Sequence, residues 1–344
     1  MTQASLLNIG TAAPTNERPA HNGDVKLAAR LREMAAKLDD EIQRKRDTHK
    51  GASPTRKRLS EMAQANADAD NMERVQAVLL ALAQRHESGQ VPHCMAFVRF
   101  RKTVELLVYD ARHFARHCRY SFQQQLAKHV PTAVYPEAVE WVTAVLADAE
   151  TAALQQKIQQ RIRMLEAEAL MSGYRDYFPT PRLVADLLLD CIVPLAGDVI
   201  LEPSAGAGNL ADAIRERFPA ARLVCIEQVP GLVEILKLKG HAVLEEGDFL
   251  QFDRDPVNWI VMNPPFSGGQ DMVHVRHAYD VLEPGGRLVS VMSPGPFFRN
   301  DKAAREFREW FDEVSGEKYD LPRSSFAESG TNVHAIYVVI DKGA

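Results

Sequence analysis

Cysteine is scarce in this chain of 344 residues: Cys94, Cys118, Cys191 and Cys225 are scattered and form no CxxC pair. That spacing indicates neither a disulfide framework nor a ribbon-type zinc site, and reduced thiols are the simplest reading. Long apolar runs are also missing. No stretch approaches the roughly 20 residues of a membrane span, and the first residues lack a charged start followed by an apolar core. A membrane partner is therefore not expected, and a cytoplasmic location is. Nor is either sign of charge in large excess: the net charge is -5, with a slightly cationic first half and an anionic second half. Any polyanion must then be gripped by local patches rather than by an overall field. No repeat of fixed period occurs.

What is present divides in two. Residues 1–22 carry no periodic pattern and are expected to be a flexible N-terminus. From 23 to 172, Ala, Leu, Gln, Glu, Lys and Arg dominate, and apolar residues recur at helical spacing, as in VKLAARLREMAAKLDDEI. Breaks fall at THKGASPT (48–55) and HESGQVPH (86–93), and another long helix is predicted from near Pro136. From 173 to 344, short β-branched runs alternate with helical stretches: DVILEP, ARLVCIE, HAVLEEGD, NWIVMNPPF, GRLVSVMS and NVHAIYVVI. Alternation of that kind predicts an α/β domain with a mostly parallel sheet covered by helices, preceded by an all-α domain.

The chemistry-bearing residues lie at the ends of those runs. The first strand leads into EPSAGAGNL, where Gly206 and Gly208 allow close backbone approach to a ligand at the start of a helix. Glu227 ends the second strand, about 20 residues on, where a carboxylate can accept both hydroxyls of a ribose. Asp248 follows the third strand and can accept from the exocyclic amine of an adenine, with Phe249 against the ring face. Ligands of open α/β sheets lie across these carboxyl ends. The loop lacks the full G-x-G-x-x-G, but its last position, Ala211, is tolerated there, so the loop alone does not exclude a nicotinamide dinucleotide. The fourth strand decides, since it ends in Asn263, Pro264, Pro265 and Phe266. An amide oxygen and a rigid backbone carbonyl there can accept both protons of a planar NH2, with an aromatic ring beside it.

Together EPSAGAGNL, the acid of CIEQ, the Asp of GDF and NPPF resemble the class I S-adenosylmethionine-dependent methyltransferases that modify the N6 amine of adenine in DNA. The order of motifs resembles their gamma arrangement, and the resemblance covers residues 177–342. It implies a Rossmann-like seven-stranded sheet, S-adenosyl-L-methionine as cofactor, and DNA as partner with the target adenine flipped out at a cost of a few kcal/mol. It also implies a cofactor site that includes Phe178, Thr180 and Pro181 of FPTP together with Glu202, Ser204, Gly206, Gly208, Glu227, Asp248 and Phe249. LPRSSFAESGTNVHAIYVVI resembles the closing hairpin of that family, and Phe297 or Phe298 of SPGPFF are candidates either for the target pocket or for core packing.

Relatives of that arrangement commonly carry a target-recognition domain after the catalytic half. Because this sequence ends at Ala344 just after the last strand, the helical half or loop insertions are expected to assist with DNA, or else to dock a partner or a second copy. Arg56, Lys57 and Arg58 close a basic stretch, while Arg99, Arg101 and Lys102 stand among aromatics; solvated helix faces explain either group as well. His113 and His117, with Cys118, His93 and Cys94 nearby, lack a second ligand pair, so no metal is expected. Two other readings share these residues: methyl transfer to RNA or a protein glutamine amide, and a catalytically silent cofactor-binding subunit docked through its helices.

Overall fold

The computed structural model describes residues 22–343 apart from 52, 54, 114–119, 173, 175, 176, 254 and 330–333. The expected flexible terminus therefore lies outside the described residues but for residue 22. So do His117, Cys118 and the His113 side chain of the histidine and cysteine group. The chain divides into two compact units, ending at Gln156 and beginning at Lys157.

The first unit is helical: α1 (Val25–Arg46), α2 (Arg56–Ser88), α3 (Arg101–His113), α4 (Tyr120–His129) and the first part of α5 (Tyr135–Met171). Asp24 caps α1 through the amide of Leu27 and Thr55 caps α2 through that of Arg58; Gly89 ends α2 at φ 71°. Leu27, Leu31 and Leu38 of α1 are spaced to form one apolar stripe, which packs on Val75, Leu79 and Leu82 of α2. Cys94 is buried in that core.

The second unit holds α6 (Arg182–Leu189), β1 (Val199–Glu202), α7 (Asn209–Arg217), β2 (Arg222–Glu227), α8 (Pro230–Leu238) and β3 (Val243–Glu246). Then come β4 (Val257–Met262), α9 (Gln270–Val281), β5 (Leu282–Met292), α10 (Lys302–Glu313), β6 (Glu317–Asp320) and β7 (Ile336–Asp341). The seven strands run in the order β3-β2-β1-β4-β5-β7-β6. All neighbours are parallel except β7, which is antiparallel to both β5 and β6. That is the Rossmann-like sheet of class I methyltransferases, and its order reverses direction between β1 and β4, where such sheets open a crevice.

Two features depart from the sequence pattern. β6, EKYD, is exposed at every position, so nothing in its pattern marks it; it pairs along the free edge of β7. The change of sequence grammar near residue 173 also falls later than the division between units. Ile162, Leu165 and Ala169 at the end of α5 share a cluster with Ala207, Leu232 and Ile235, which draws that helical tail into the α/β unit.

Candidate active site

The residues after β1, β2, β3 and β4 converge on one cleft, lined among others by Ser204, Gly206, Glu227, Asp248, Asn263 and Pro265. Gly206 (φ 56°) and Gly208 (φ 82°) both adopt left-handed backbone. A Cβ at Gly208 would lie 2.8 Å from Leu236, and one at Gly206 would lie 3.3 Å from the ring of Tyr177. Gly208 caps α7 without a side-chain hydrogen bond, so amides at that helix start stay available to a ligand. Behind the loop, the Lys239 ammonium donates to the Ala207 carbonyl at 2.8 Å and pairs with Asp212 and Glu166, each at 3.1 Å.

Glu227 takes the Gly206 amide on one carboxylate oxygen and the Val229 amide on the other, both at 2.8 Å. Each oxygen keeps a further lone pair for a hydroxyl. Burial raises its pKa above the ordinary carboxylate value against the pull of those amides. Glu202 is more deeply buried and its Oε2 has no hydrogen-bond partner; burial, then the nearby Asp212 and Glu227 charges, push its pKa well up. Glu202 itself is absent from the cleft lining, whereas Ser204, Gly206 and Glu227 line it, and the open lone pairs of Glu227 beside the glycine backbone fit the hydroxyls of a nucleoside ligand.

Asp248 accepts the Leu250 amide at 3.0 Å and stays exposed in the cleft wall. Phe249 is 2% exposed: it sits edge-on to His277, with centroids 4.7 Å apart, so most of its ring belongs to the core and only an edge is left for a bound base.

Asn263 donates through Nδ2 to the Phe178 carbonyl and to Thr180 Oγ1, both at 3.2 Å. Both partners accept, so the amide is oriented and Oδ1 is left as an acceptor. The FPTP segment is itself held by Ser329, whose hydroxyl donates to the Pro179 carbonyl at 2.6 Å, and Pro181 caps α6. Phe178 is 38% exposed on the cleft. Pro265 lines the cleft, whereas the Pro264 ring is buried and Phe266 packs half-buried on the cluster around Val184 and Leu188. Beyond this turn Asp271, fully buried, accepts from the Ser293 amide and hydroxyl at 3.0 and 2.6 Å, tying the start of α9 to the end of β5. Phe297 is core, edge-on to Phe307 and Phe311, while Phe298 is 70% exposed.

Tyr177 and His274 line this cleft and Lys239 supports the glycine loop from behind, and none of the three carries a motif that marks it in the sequence. Tyr177 adjoins FPTP, which is a usable signal; Lys239 and His274 read as ordinary helix-end and helix-face residues.

The cationic candidates sit in the helical unit. Arg56 and Lys57 are exposed at the start of α2, and Arg58 donates to the Ser53 carbonyl. Much of the basic stretch before them is neutralised: Lys45 pairs with Asp68, and Arg46 with Asp70 and Glu73. Arg99 is turned onto the carbonyls of Ala96 and Val98, Arg101 is shared by Glu41 and Glu105, and Lys102 lies 3.5 Å from Glu105. Among the described residues no group of three His, Cys, Asp or Glu is placed to hold a metal ion. No described helix is long and apolar enough to cross a membrane.

Residues 183–315 match the family model described as Methyltransferase small domain. The chain is 29% identical over 177 residues to an uncharacterized methyltransferase of Geobacillus kaustophilus, spanning 46% of this chain and 78% of that protein. A second uncharacterized methyltransferase, from Geobacillus thermodenitrificans, is 28% identical over 178 residues, with 46% and 79% covered. Among solved structures, a proposed class I S-adenosylmethionine-dependent methyltransferase from Listeria monocytogenes aligns at 14% identity with a TM-score of 0.44, covering 79% of this chain and 88% of that one. The match over residues 183–315 and the strand order agree on a Rossmann-like class I methyltransferase fold for the α/β unit, with S-adenosyl-L-methionine as its cofactor.

Proposed function

We propose that this chain transfers a methyl group to the N6 amine of adenine in DNA, and that Asn263 is the residue on which the reaction turns. The carrying observation is its orientation: with Nδ2 spent on Phe178 and Thr180, the amide offers only its oxygen to an incoming NH2. An aromatic amine is a weak nucleophile because its lone pair is delocalised into the ring. When Asn263 Oδ1 accepts one N–H and the Pro264 carbonyl the other, the nitrogen moves towards tetrahedral geometry and its lone pair is freed. When bound, the cofactor would supply an electrophilic methyl on a sulfonium, with the thioether as leaving group and the amine proton passing to solvent, so no strong base is needed. Catalysis is mostly orientation and preorganised electrostatics. Glu227 and Asp248 would hold the nucleoside end, and the glycine loop would let the backbone approach it closely.

A protein glutamine amide presents the same two protons, and one observation favours that second reading: Phe266 packs against α6 and is absent from the cleft lining, so the motif's own ring is not waiting for a base. Radiolabelled cofactor offered with adenine-containing DNA, RNA and a protein lysate separates the acceptors. Label is expected in DNA as N6-methyladenine; label confined to protein overturns the DNA reading. The variant Asn263→Ala is expected to lose about a hundredfold or more in transfer rate, the scale of deleting one preorganised polar group. Calorimetry on the same variant should find cofactor affinity nearly unchanged, and a parallel loss of both would make Asn263 structural instead.

A further inference from the structure

His274 is a buried titratable group that the reaction above leaves unused. It stands on α9, is 7% exposed, and lines the same cleft as Asp248 and Asn263. Its Nδ1 lies 2.9 Å from the carbonyl oxygen of Gln270. A carbonyl only accepts, so Nδ1 carries the proton and donates it, and in the neutral ring Nε2 becomes an acceptor. The ring is also held by packing, tilted against Phe249 with centroids 5.9 Å apart. A rigid acceptor of fixed tautomer in a nucleoside cleft has a chemical consequence. It favours a base edge that carries N–H and disfavours one that carries a carbonyl.

We infer that His274 is a specificity-determining residue for the cofactor's purine, a fixed neutral acceptor that reads the exocyclic amine together with Asp248. A purine amine has two protons, one for each acceptor, whereas a 6-oxo purine presents lone pairs to both. The inference rests on the cofactor reading of this cleft and is independent of which molecule receives the methyl group.

The ionisable groups facing the ring are Asp248 from the loop after β3, and Asp271 and His277 on α9 itself. Burial holds the imidazole below its ordinary range, outweighing the two carboxylates that favour its charged form. Protonation would turn Nε2 into a donor facing a donor. Cofactor affinity is therefore expected to be level at neutral pH and to fall as pH drops through the lowered His274 value.

The test uses the full chain and two probes, S-adenosylhomocysteine and its 6-oxo analogue, titrated by calorimetry. His274→Phe keeps a ring against Phe249 and removes the acceptor; its preference for the amino over the oxo probe is expected to drop about three- to tenfold, the worth of one neutral hydrogen bond. His274→Gln restores an acceptor that cannot titrate. It should recover most of the preference while making the acid-side fall in affinity shallower, the remainder belonging to the cleft carboxylates Glu227 and Asp248. An unchanged preference in His274→Phe, or an acid-side fall in His274→Gln as steep as in the unaltered protein, overturns the inference. Failure of the unaltered protein to bind either probe would overturn it together with the cofactor reading.

Discussion

Gly208 and Glu202 are single positions that carry a cost to the fold. At Gly208 the backbone is left-handed and the space where a Cβ would project is already filled by Leu236. Gly208→Ala is therefore expected to destabilise the α/β unit by about 1–3 kcal/mol, the range for strained left-handed backbone, and to weaken cofactor binding; thermal unfolding with and without S-adenosylhomocysteine checks both. Glu202 carries a different strain. With its pKa in the folded state above the ordinary 4.5, the folded chain still binds a proton at pH values where the unfolded chain has released it. Stability must then fall as pH rises through that window. Glu202→Gln removes that contribution, so its melting temperature should gain on the unaltered protein from about pH 4.5 upward. Glu227, raised in the same direction, adds a slope of the same sign that this substitution leaves in place. A melting-temperature difference that does not change with pH would place the folded Glu202 pKa at its unfolded value.

At the scale of elements, what was legible follows from periodicity. Leu27, Leu31 and Leu38 announce α1, and the Thr55 cap marks where α2 begins, because both signals are local. The contrast between neighbours on α2 tests the packing: Leu79 is fully buried and Leu80 is 39% exposed. Leu79→Ala should cost about 2–5 kcal/mol by urea denaturation followed by circular dichroism, and Leu80→Ala much less. An equal cost at both positions would mean that α2 is rotated from the orientation described. β6 was not legible for the opposite reason. An edge strand exposed on both faces has no alternation to display, and only its pairing with β7 makes it a strand. The aromatic residues of NPPF and GDF divided likewise: composition places a ring near the site, but whether Phe266 or Phe249 faces the ligand depends on α6 and α9, which take up most of both rings.

For the molecule as a whole, the charge distribution bears on how a polyanion would be held. The basic stretch across the α1–α2 junction looks unopposed in sequence, yet Lys45 and Arg46 are neutralised by acids of α2. At its end Arg56 is exposed, Lys57 lies 3.9 Å from Glu61 and Arg58 donates to the Ser53 carbonyl. Replacing Arg56, Lys57 and Arg58 together by Gln should weaken DNA binding and flatten the slope of log affinity against log salt by about 0.9 for each phosphate that is no longer neutralised. An unchanged slope in a filter-binding or anisotropy titration would assign these side chains to solvent.

By itself the sequence determined the α/β class, the glycine loop, the acids at the strand ends and the NPPF turn, because each is written within a few consecutive residues by backbone preference or by a required functional group. The direction in which the Asn263 amide points was decided only in three dimensions, since its partners lie 83 and 85 residues away in FPTP and meet it through the closing of the sheet. The same holds for Lys239 behind the glycine loop and His274 in the cleft wall. Hydrogen-bond direction and burial are properties of a packed neighbourhood, and a one-dimensional pattern carries neither.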